Sequence, residues 1–74
     1  MEEKIIELCK RVDDSVDYTQ KNLVDGKLIT SAVLIDIVSE ISDEYDIEIP
    51  YEDIIPRNFN SIESMVKLVE SYIY

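Results

Sequence analysis

Ser31 is the residue whose type and position in this sequence best fit a covalent chemical role. It lies between a polar stretch and a long segment in which apolar residues recur at helical spacing. A serine hydroxyl at a helix start can accept a hydrogen bond from an unpaired backbone N–H, which contributes roughly 1 kcal/mol. The same hydroxyl can also carry a covalently attached prosthetic group. The local sequence leaves both roles, a cap and a modification site, open.

The other reactive side chains point away from catalysis and metal binding. The chain has no histidine to act as a base for Ser31, and one glycine is too few for a glycine-rich phosphate loop, so we expect no enzyme activity. The single cysteine, Cys9, stands among apolar residues at helical spacing, which predicts a buried side chain. We expect no metal site, since zinc lacks ligands here and weak cation binding by Asp43, Glu44 and Asp46 would be incidental.

Acidic residues outnumber basic residues by 17 to 7, which gives a net charge of −10. A phosphate backbone is bound by Lys and Arg, so this balance disfavours nucleic-acid binding. The negative field instead attracts proteins that carry basic patches, although acidic residues can also serve solubility alone. No apolar run has the length of a membrane span or a signal-peptide core, which predicts a cytoplasmic protein without membrane contact.

The first part of the chain is predicted to form a helix followed by a long connection. An amphipathic helix is predicted over about Glu2 to Val16. In the connection over 17–29 the periodicity lapses, and the pair Asp25-Gly26 is suited to a turn that needs positive φ. Four apolar residues of this connection are predicted to pack on the core: Leu23, Val24, Leu28 and Ile29.

A second helix is predicted to begin at Thr30 or Ser31, as its cap, and to end near Tyr45. Its apolar stripe predicts a face on the core and consists of Leu34, Ile37, Val38, Ile41 and Tyr45. Its carboxylates lie on or beside the opposite face and are Asp36, Glu40, Asp43 and Glu44. A solvated face explains this acidic row as well as a binding role does.

The second half of the chain is predicted to be an extended link, a short helix and a loop. Residues 46–50 alternate like a strand but are too few and too isolated to pair, so they are interpreted as a link that buries Ile47 and Ile49. A helix of little more than one turn is predicted over Tyr51 to Ile55 and is stopped by Pro56. Residues 57–60 are predicted to be loop.

The last predicted helix is capped by Asn60 or Ser61, with Glu63 placed for a capping box on Asn60. Its predicted inner face consists of Ile62, Met65, Val66, Val69, Tyr72 and Ile73. The chain is therefore predicted to be one all-α domain over residues 1–74. It has three main helices and one short helix, with a long connection between the first and second helices.

Three motifs together resemble the acyl carrier protein family, including the carriers of peptide synthetases and the D-alanyl carrier proteins. They are Leu28-Ile29-Thr30-Ser31-Ala32, Asp46-Ile47-Glu48-Ile49-Pro50 and Asn58-Phe59-Asn60-Ser61-Ile62-Glu63-Ser64-Met65. The family typically has Asp-Ser-Leu at the first motif and Ile-x-Ile-Pro at the second. The chain differs at the first, with Thr30 in place of Asp and Ala32 in place of Leu. No single motif is specific, but their order and spacing over nearly the whole chain are.

The resemblance implies that Ser31 receives phosphopantetheine from coenzyme A and that the thiol of this arm carries a thioester. The implied cargo is a fatty acyl, polyketide or amino acid group. The implied partners of a monomeric carrier are a phosphopantetheinyl transferase and acyl or aminoacyl ligases and synthases with basic docking patches. The residues implied to meet these partners are Thr30, Ala32, Val33, Asp36, Glu40 and Asp43.

Two alternatives stay open within this resemblance. Thr30 and Ala32 also suit a divergent, unmodified protein that keeps the carrier fold and acts as an acidic helical interaction module. The apolar residues of the second and last helices either part to shelter an acyl chain or form an ordinary closed core. These residues are Leu34, Ile37, Val38, Ile41, Val66 and Val69.

Overall fold

The computed structural model describes residues 1–74 and contains four α-helices and no strand. The all-α class, the three main helices and the long first connection are confirmed. The helices are α1 (Glu2–Val12), α2 (Ser31–Tyr45), α3 (Pro56–Phe59) and α4 (Ile62–Ile73), with a short 3₁₀ turn at Tyr51–Asp53. None of these helices combines the length and the apolar composition that crossing a membrane requires.

The core is built from one apolar face of each main helix. Helix α1 packs against both α2 and α4, and α3 packs against α4. The buried residues are Ile5, Leu8, Cys9, Tyr18, Leu23, Ile29, Ile37, Val38, Ile41, Ile49, Phe59, Ile62, Met65 and Val69. The predicted inner face of α4 is wrong at its end, because Tyr72 and Ile73 are more than a third exposed. No polar or charged residue is fully buried, so burial of apolar side chains stabilises the bundle.

Helix α1 ends at Val12, one turn before the predicted end at Val16. Asp13 is extended (φ −153°, ψ 104°), and its Oδ1 accepts hydrogen bonds from the backbone N–H (3.0 Å) and hydroxyl (2.6 Å) of Ser15. These bonds hold the pKa of Asp13 below its usual range. A short aspartate side chain thus competes with the helix for the backbone, which the apolar spacing does not reveal.

The connection between α1 and α2 has no regular secondary structure, yet three of its side chains are buried in the core, and the half-buried Val24 packs against the core as predicted. Leu23 and Ile29 are buried as predicted, whereas Leu28 is 42% exposed. Tyr18, which was not predicted to pack, is also buried. Its hydroxyl lies 3.0 Å from the carbonyl oxygen of Cys9 and 2.7 Å from that of Asp13, and so pairs with backbone at the end of α1.

Asn60 ties the connection to the start of α4 instead of capping that helix. Its Oδ1 accepts from the backbone N–H groups of Val24 and Asp25, both at 3.0 Å, and its Nδ2 donates to Asp25 Oδ2 at 2.9 Å. Its carbonyl oxygen accepts from the N–H of Leu23 at 2.9 Å. The cap of α4 is Ser61, whose hydroxyl accepts from the N–H of Ser64, so the capping box predicted with Asn60 does not form.

The tight turn of the connection places its positive φ at Lys27 (58°) and not at Gly26. Gly26 is needed for a different reason. A Cβ there would lie 2.6 Å from the carbonyl oxygen of Asn22, closer than side-chain atoms are found in proteins. The predicted turn is therefore present, but the glycine permits a close backbone approach while a lysine takes the left-handed conformation.

Pro56 starts a helix rather than ending one. It occupies the first position of α3, where its missing N–H has no intrahelical acceptor in any case. Ile55 before it is extended (φ −126°, ψ 156°), as expected for a residue that precedes proline. The predicted helix over 51–55 is thus a 3₁₀ turn of three residues, and the predicted loop over 57–60 is mostly helical.

Asn60→Ala is expected to lower the free energy of unfolding by about 1–3 kcal/mol, because the N–H groups of Val24 and Asp25 lose their acceptor. Urea denaturation followed by circular dichroism measures the change. Asn22→Ala, on the same connection but without a side-chain hydrogen bond, is the matched control and is expected to stay within about 0.5 kcal/mol of the native chain. Equal stability of the two variants would contradict the role given to Asn60.

Candidate functional site

Thr30 caps α2 and leaves the hydroxyl of Ser31 free. Thr30 is extended (φ −83°, ψ 168°), its Oγ1 accepts from the N–H of Val33 at 3.2 Å, and its carbonyl oxygen accepts from the N–H of Leu34 at 2.9 Å. Ser31 is the first residue of the helix, and it is exposed with no side-chain hydrogen bond. Of the two roles that the sequence left open for this junction, the cap belongs to Thr30.

The start of α2 differs in charge from the starts of the other main helices. Helix α1 has Glu2 and Glu3 in its first turn and α4 has Glu63, whereas α2 has no acidic residue in its first turn. The first N–H groups of a helix lack intrahelical acceptors and carry a partial positive charge. In a chain with a net charge of −10, this end can accept an anion without a carboxylate beside it.

A cleft of about 400 Å³ opens beside Ser31, between the connection and the first turns of α2. It is lined by Val24, Lys27, Ile29, Thr30, Ser31 and Leu34. No carboxylate lines it, and Lys27 is its one charged residue. The free hydroxyl, the unpaired N–H groups and the lysine form a donor set that fits a phosphate ester, so Ser31 with its surroundings is compatible with phosphopantetheine.

The residues implied to meet partners do not all lie on one exposed face. Ala32, Asp36 and Asp43 are exposed together with Thr30 and Ser31. Val33 is half-buried, and so is Glu40, whose Oε1 lies 3.3 Å from Arg11 Nη1 of α1. Because Arg11 pairs with Glu40 and Lys4 lies 3.9 Å from Glu44, the carboxylates of α2 that remain unpaired are those of Asp36 and Asp43.

Two exposed apolar side chains near Ser31 were not among the predicted site residues. Ile35 is 49% exposed and follows Ala32 by three residues, and Leu28 on the connection is 42% exposed. The signal for Ile35 is present in the sequence, because it falls outside the apolar stripe of α2. The exposure of Leu28 depends on how the turn at Lys27 is formed, and apolar spacing does not encode it.

The remaining reactive groups are held away from this site. Cys9 is buried, as predicted, with its Sγ 3.8 Å from Met65 Sδ, and burial raises the pKa of its thiol to about 12. The structure brings together no group of three or more side chains able to hold a metal ion.

The apolar residues proposed as an acyl shelter include Ile37, Ile41 and Val69, which are fully buried and line none of the surface clefts.

The division of roles between Thr30 and Ser31 predicts different effects of two alanine substitutions on the free energy of unfolding. Thr30→Ala is expected to lower the free energy of unfolding by about 1 kcal/mol through loss of the cap. Ser31→Ala is expected to leave it unchanged or slightly higher, because its hydroxyl bonds nothing and alanine favours helix. Urea denaturation measures both, with Thr30→Asp as the variant that keeps a cap. A loss for Ser31→Ala as large as that for Thr30→Ala would show that Ser31 is the cap.

Comparison with protein-family models, with curated proteins and with solved structures gave no significant match. The functional assignment therefore depends on the geometry around Ser31 and on the three sequence motifs.

Proposed function

We propose that this protein is a carrier that holds acyl or aminoacyl groups as thioesters on a phosphopantetheine arm attached to Ser31. The observation that carries the proposal is the exposed, unbonded hydroxyl of Ser31 beside a neighbour, Thr30, that already serves as the cap. The resemblance of the surrounding motifs to acyl carrier proteins supports it. In this proposal the protein acts as a cytoplasmic monomer and is not itself an enzyme.

In the attachment reaction the chain contributes the nucleophilic oxygen of Ser31 and the helix start that surrounds the attached phosphate. Attachment joins Ser31 Oγ to the phosphorus of coenzyme A that bears the pantetheine. The bond from this phosphorus to the bridging oxygen of the pyrophosphate breaks, so that adenosine bisphosphate leaves, and the hydroxyl proton passes to a base of the transferase. No histidine of this chain is available for that last role. The first turn of α2 accommodates the added negative charge, because it contains no acidic residue. When attached, the arm supplies the thiol that holds the cargo.

Partner enzymes are proposed to dock on the outward side of α2. The phosphopantetheinyl transferase and the acyl or aminoacyl ligases and synthases would place Lys and Arg against Asp36 and Asp43, with the exposed Ile35, next to Asp36, as an apolar contact. Each exposed ion pair contributes only about 0–1 kcal/mol. Recognition is therefore the sum of several weak contacts, which suits a carrier that must leave one enzyme for the next.

A second candidate function is an acidic helical interaction module without an arm. The observation that favours it is the exposed surface of α2, on which Ile35 is 49% exposed next to Asp36 and on which the carboxylates of Asp36 and Asp43 are unpaired. Thr30 and Ala32, which depart from the family pattern, also fit it. The two candidates separate at Ser31, because a module binds its partner equally well after Ser31→Ala whereas a carrier loses its cargo.

Incubation with coenzyme A and a broad-specificity phosphopantetheinyl transferase is expected to add the mass of one phosphopantetheine to the intact protein. Ser31→Ala is expected to abolish this gain. Ser39→Ala, which removes another exposed serine of α2, is the matched control and is expected to load normally. No gain in the native chain, or a gain that persists in Ser31→Ala, would argue against the carrier.

The thiol count of the folded protein gives an independent readout of the same reaction. Cys9 is buried and the pKa of its thiol is raised to about 12, so it is expected not to react with a thiol reagent under native conditions. The unloaded protein should then show no reactive thiol and the loaded protein one. Reaction of both forms to the same extent would mean that the arm is absent.

Neutralising Asp36 and Asp43 together by substitution with Asn is expected to raise the KM of the loading reaction about three- to tenfold, with little change in kcat. Glu40→Gln is expected to have a smaller effect, because Glu40 pairs with Arg11 rather than with a partner. Steady-state loading kinetics at two salt concentrations measure both effects, which should weaken at high salt. An effect of Glu40→Gln as large as that of the double variant would place the docking surface nearer to α1.

A further inference from the structure

Lys27 is distinguished from the other basic residues of this chain by its place beside Ser31. Lys4, Arg11 and Lys67 each lie within 4.0 Å of a carboxylate, whereas Lys27, like Lys10, Lys21 and Arg57, forms no ion pair. It lines the cleft beside Ser31, in which no carboxylate is present. Its charge is thus unbalanced at the place where the proposed function puts a new negative charge.

The cleft offers two kinds of surface to an arm that leaves Ser31. Lys27, Thr30 and Ser31 form its polar part, at the helix start where the first backbone N–H groups lack intrahelical acceptors. Val24, Ile29 and Leu34 form its apolar part. Phosphopantetheine has the same two parts in sequence, because a branched hydrocarbon segment follows its phosphate. A volume of about 400 Å³ leaves room for that segment beside the protein.

We propose that Lys27 is the counter-ion of the phosphate carried on Ser31, and that the cleft between the connection and α2 holds the phosphate end of the arm. This inference rests on the proposed carrier function. It adds Lys27, which directly precedes the first of the three motifs, to the residues around the attachment site. Lys27 holds the phosphate by charge and is not a catalytic residue. The arm's orientation as it leaves α2 is then set by this chain before any partner binds.

The backbone conformation of Lys27 offers a way to remove its ammonium group without destabilising the fold. Its φ of 58° lies in the left-handed region, where glycine is accommodated at no steric cost and a lysine is strained. Its N–H donates to the carbonyl oxygen of Val24 at 3.0 Å, so the turn itself holds that conformation. Lys27→Gly is accordingly expected to raise the melting temperature, and it provides a well-folded variant without the ammonium group.

Phosphoserine incorporated at position 31 tests the inference without any transferase. Its second pKa, ordinarily near 6, is followed by ³¹P NMR titration. The pKa is expected to be about 0.3–0.7 unit lower in the chain with Lys27 than in Lys27→Gln or Lys27→Gly, because the ammonium stabilises the dianion. Lys21→Gln changes the net charge equally on the same connection and is expected to leave the pKa unchanged. Equal pKa values in Lys27→Gln and Lys21→Gln would overturn the inference.

A second measurement uses the chain loaded with phosphopantetheine. The backbone amide signals of Val24 and Lys27 are expected to shift on loading, and the shift at Val24 is expected to shrink in Lys27→Gln but not in Lys21→Gln. If Ser31 does not load while the phosphoserine titration still depends on Lys27, the carrier proposal fails and Lys27 remains a partner for a simple phosphate ester. If Ser31 loads and neither readout responds to Lys27→Gln, the carrier stands and Lys27 has no such role.

Discussion

Four hydrogen bonds of Asn60 fix the one long irregular segment of this small bundle. They join the backbone of Leu23, Val24 and Asp25, and the side chain of Asp25, to the residue that precedes the cap of α4. Without them the connection would depend on a few buried side chains, chiefly Leu23. Because the same connection leads directly into Thr30, the position of the α2 start depends on a contact far from it in sequence.

The distribution of charge follows from this arrangement. Acidic side chains lie in the first turns of α1 and α4 and along α2, and several are paired with Lys or Arg within the chain. The start of α2 and its cleft are the exception, with Lys27 as the one charged residue. A strongly acidic protein thus keeps a cleft without a carboxylate, and that cleft contains Ser31, whose hydroxyl forms no hydrogen bond. The fold bears on the proposed chemistry through Thr30, because Thr30 caps α2 and so leaves the hydroxyl of Ser31 free.

Apolar periodicity was enough to predict the three main helices, the buried face of α2 and the junction at Ser31, since burial dominates the stability of such a bundle. It could not decide between neighbouring residues of similar chemistry. Thr30 and Ser31 are both good caps, as are Asn60 and Ser61, and in the second pair the bonds of Asn60 to the connection leave the cap to Ser61. Likewise Pro56 correctly predicted an extended Ile55, but not that a new helix begins at the proline itself.

Whether Ser31 carries phosphopantetheine in the cell is tested most directly by the mass of the protein isolated from its native source. Cleavage after Lys27 and Arg57 yields a peptide over residues 28–57 that contains Ser31, Ser39 and Ser42, which fragmentation distinguishes. The predicted result is a mass increment of phosphopantetheine located on Ser31. An unmodified peptide, or an increment on Ser39 or Ser42, would contradict the proposed attachment at Ser31.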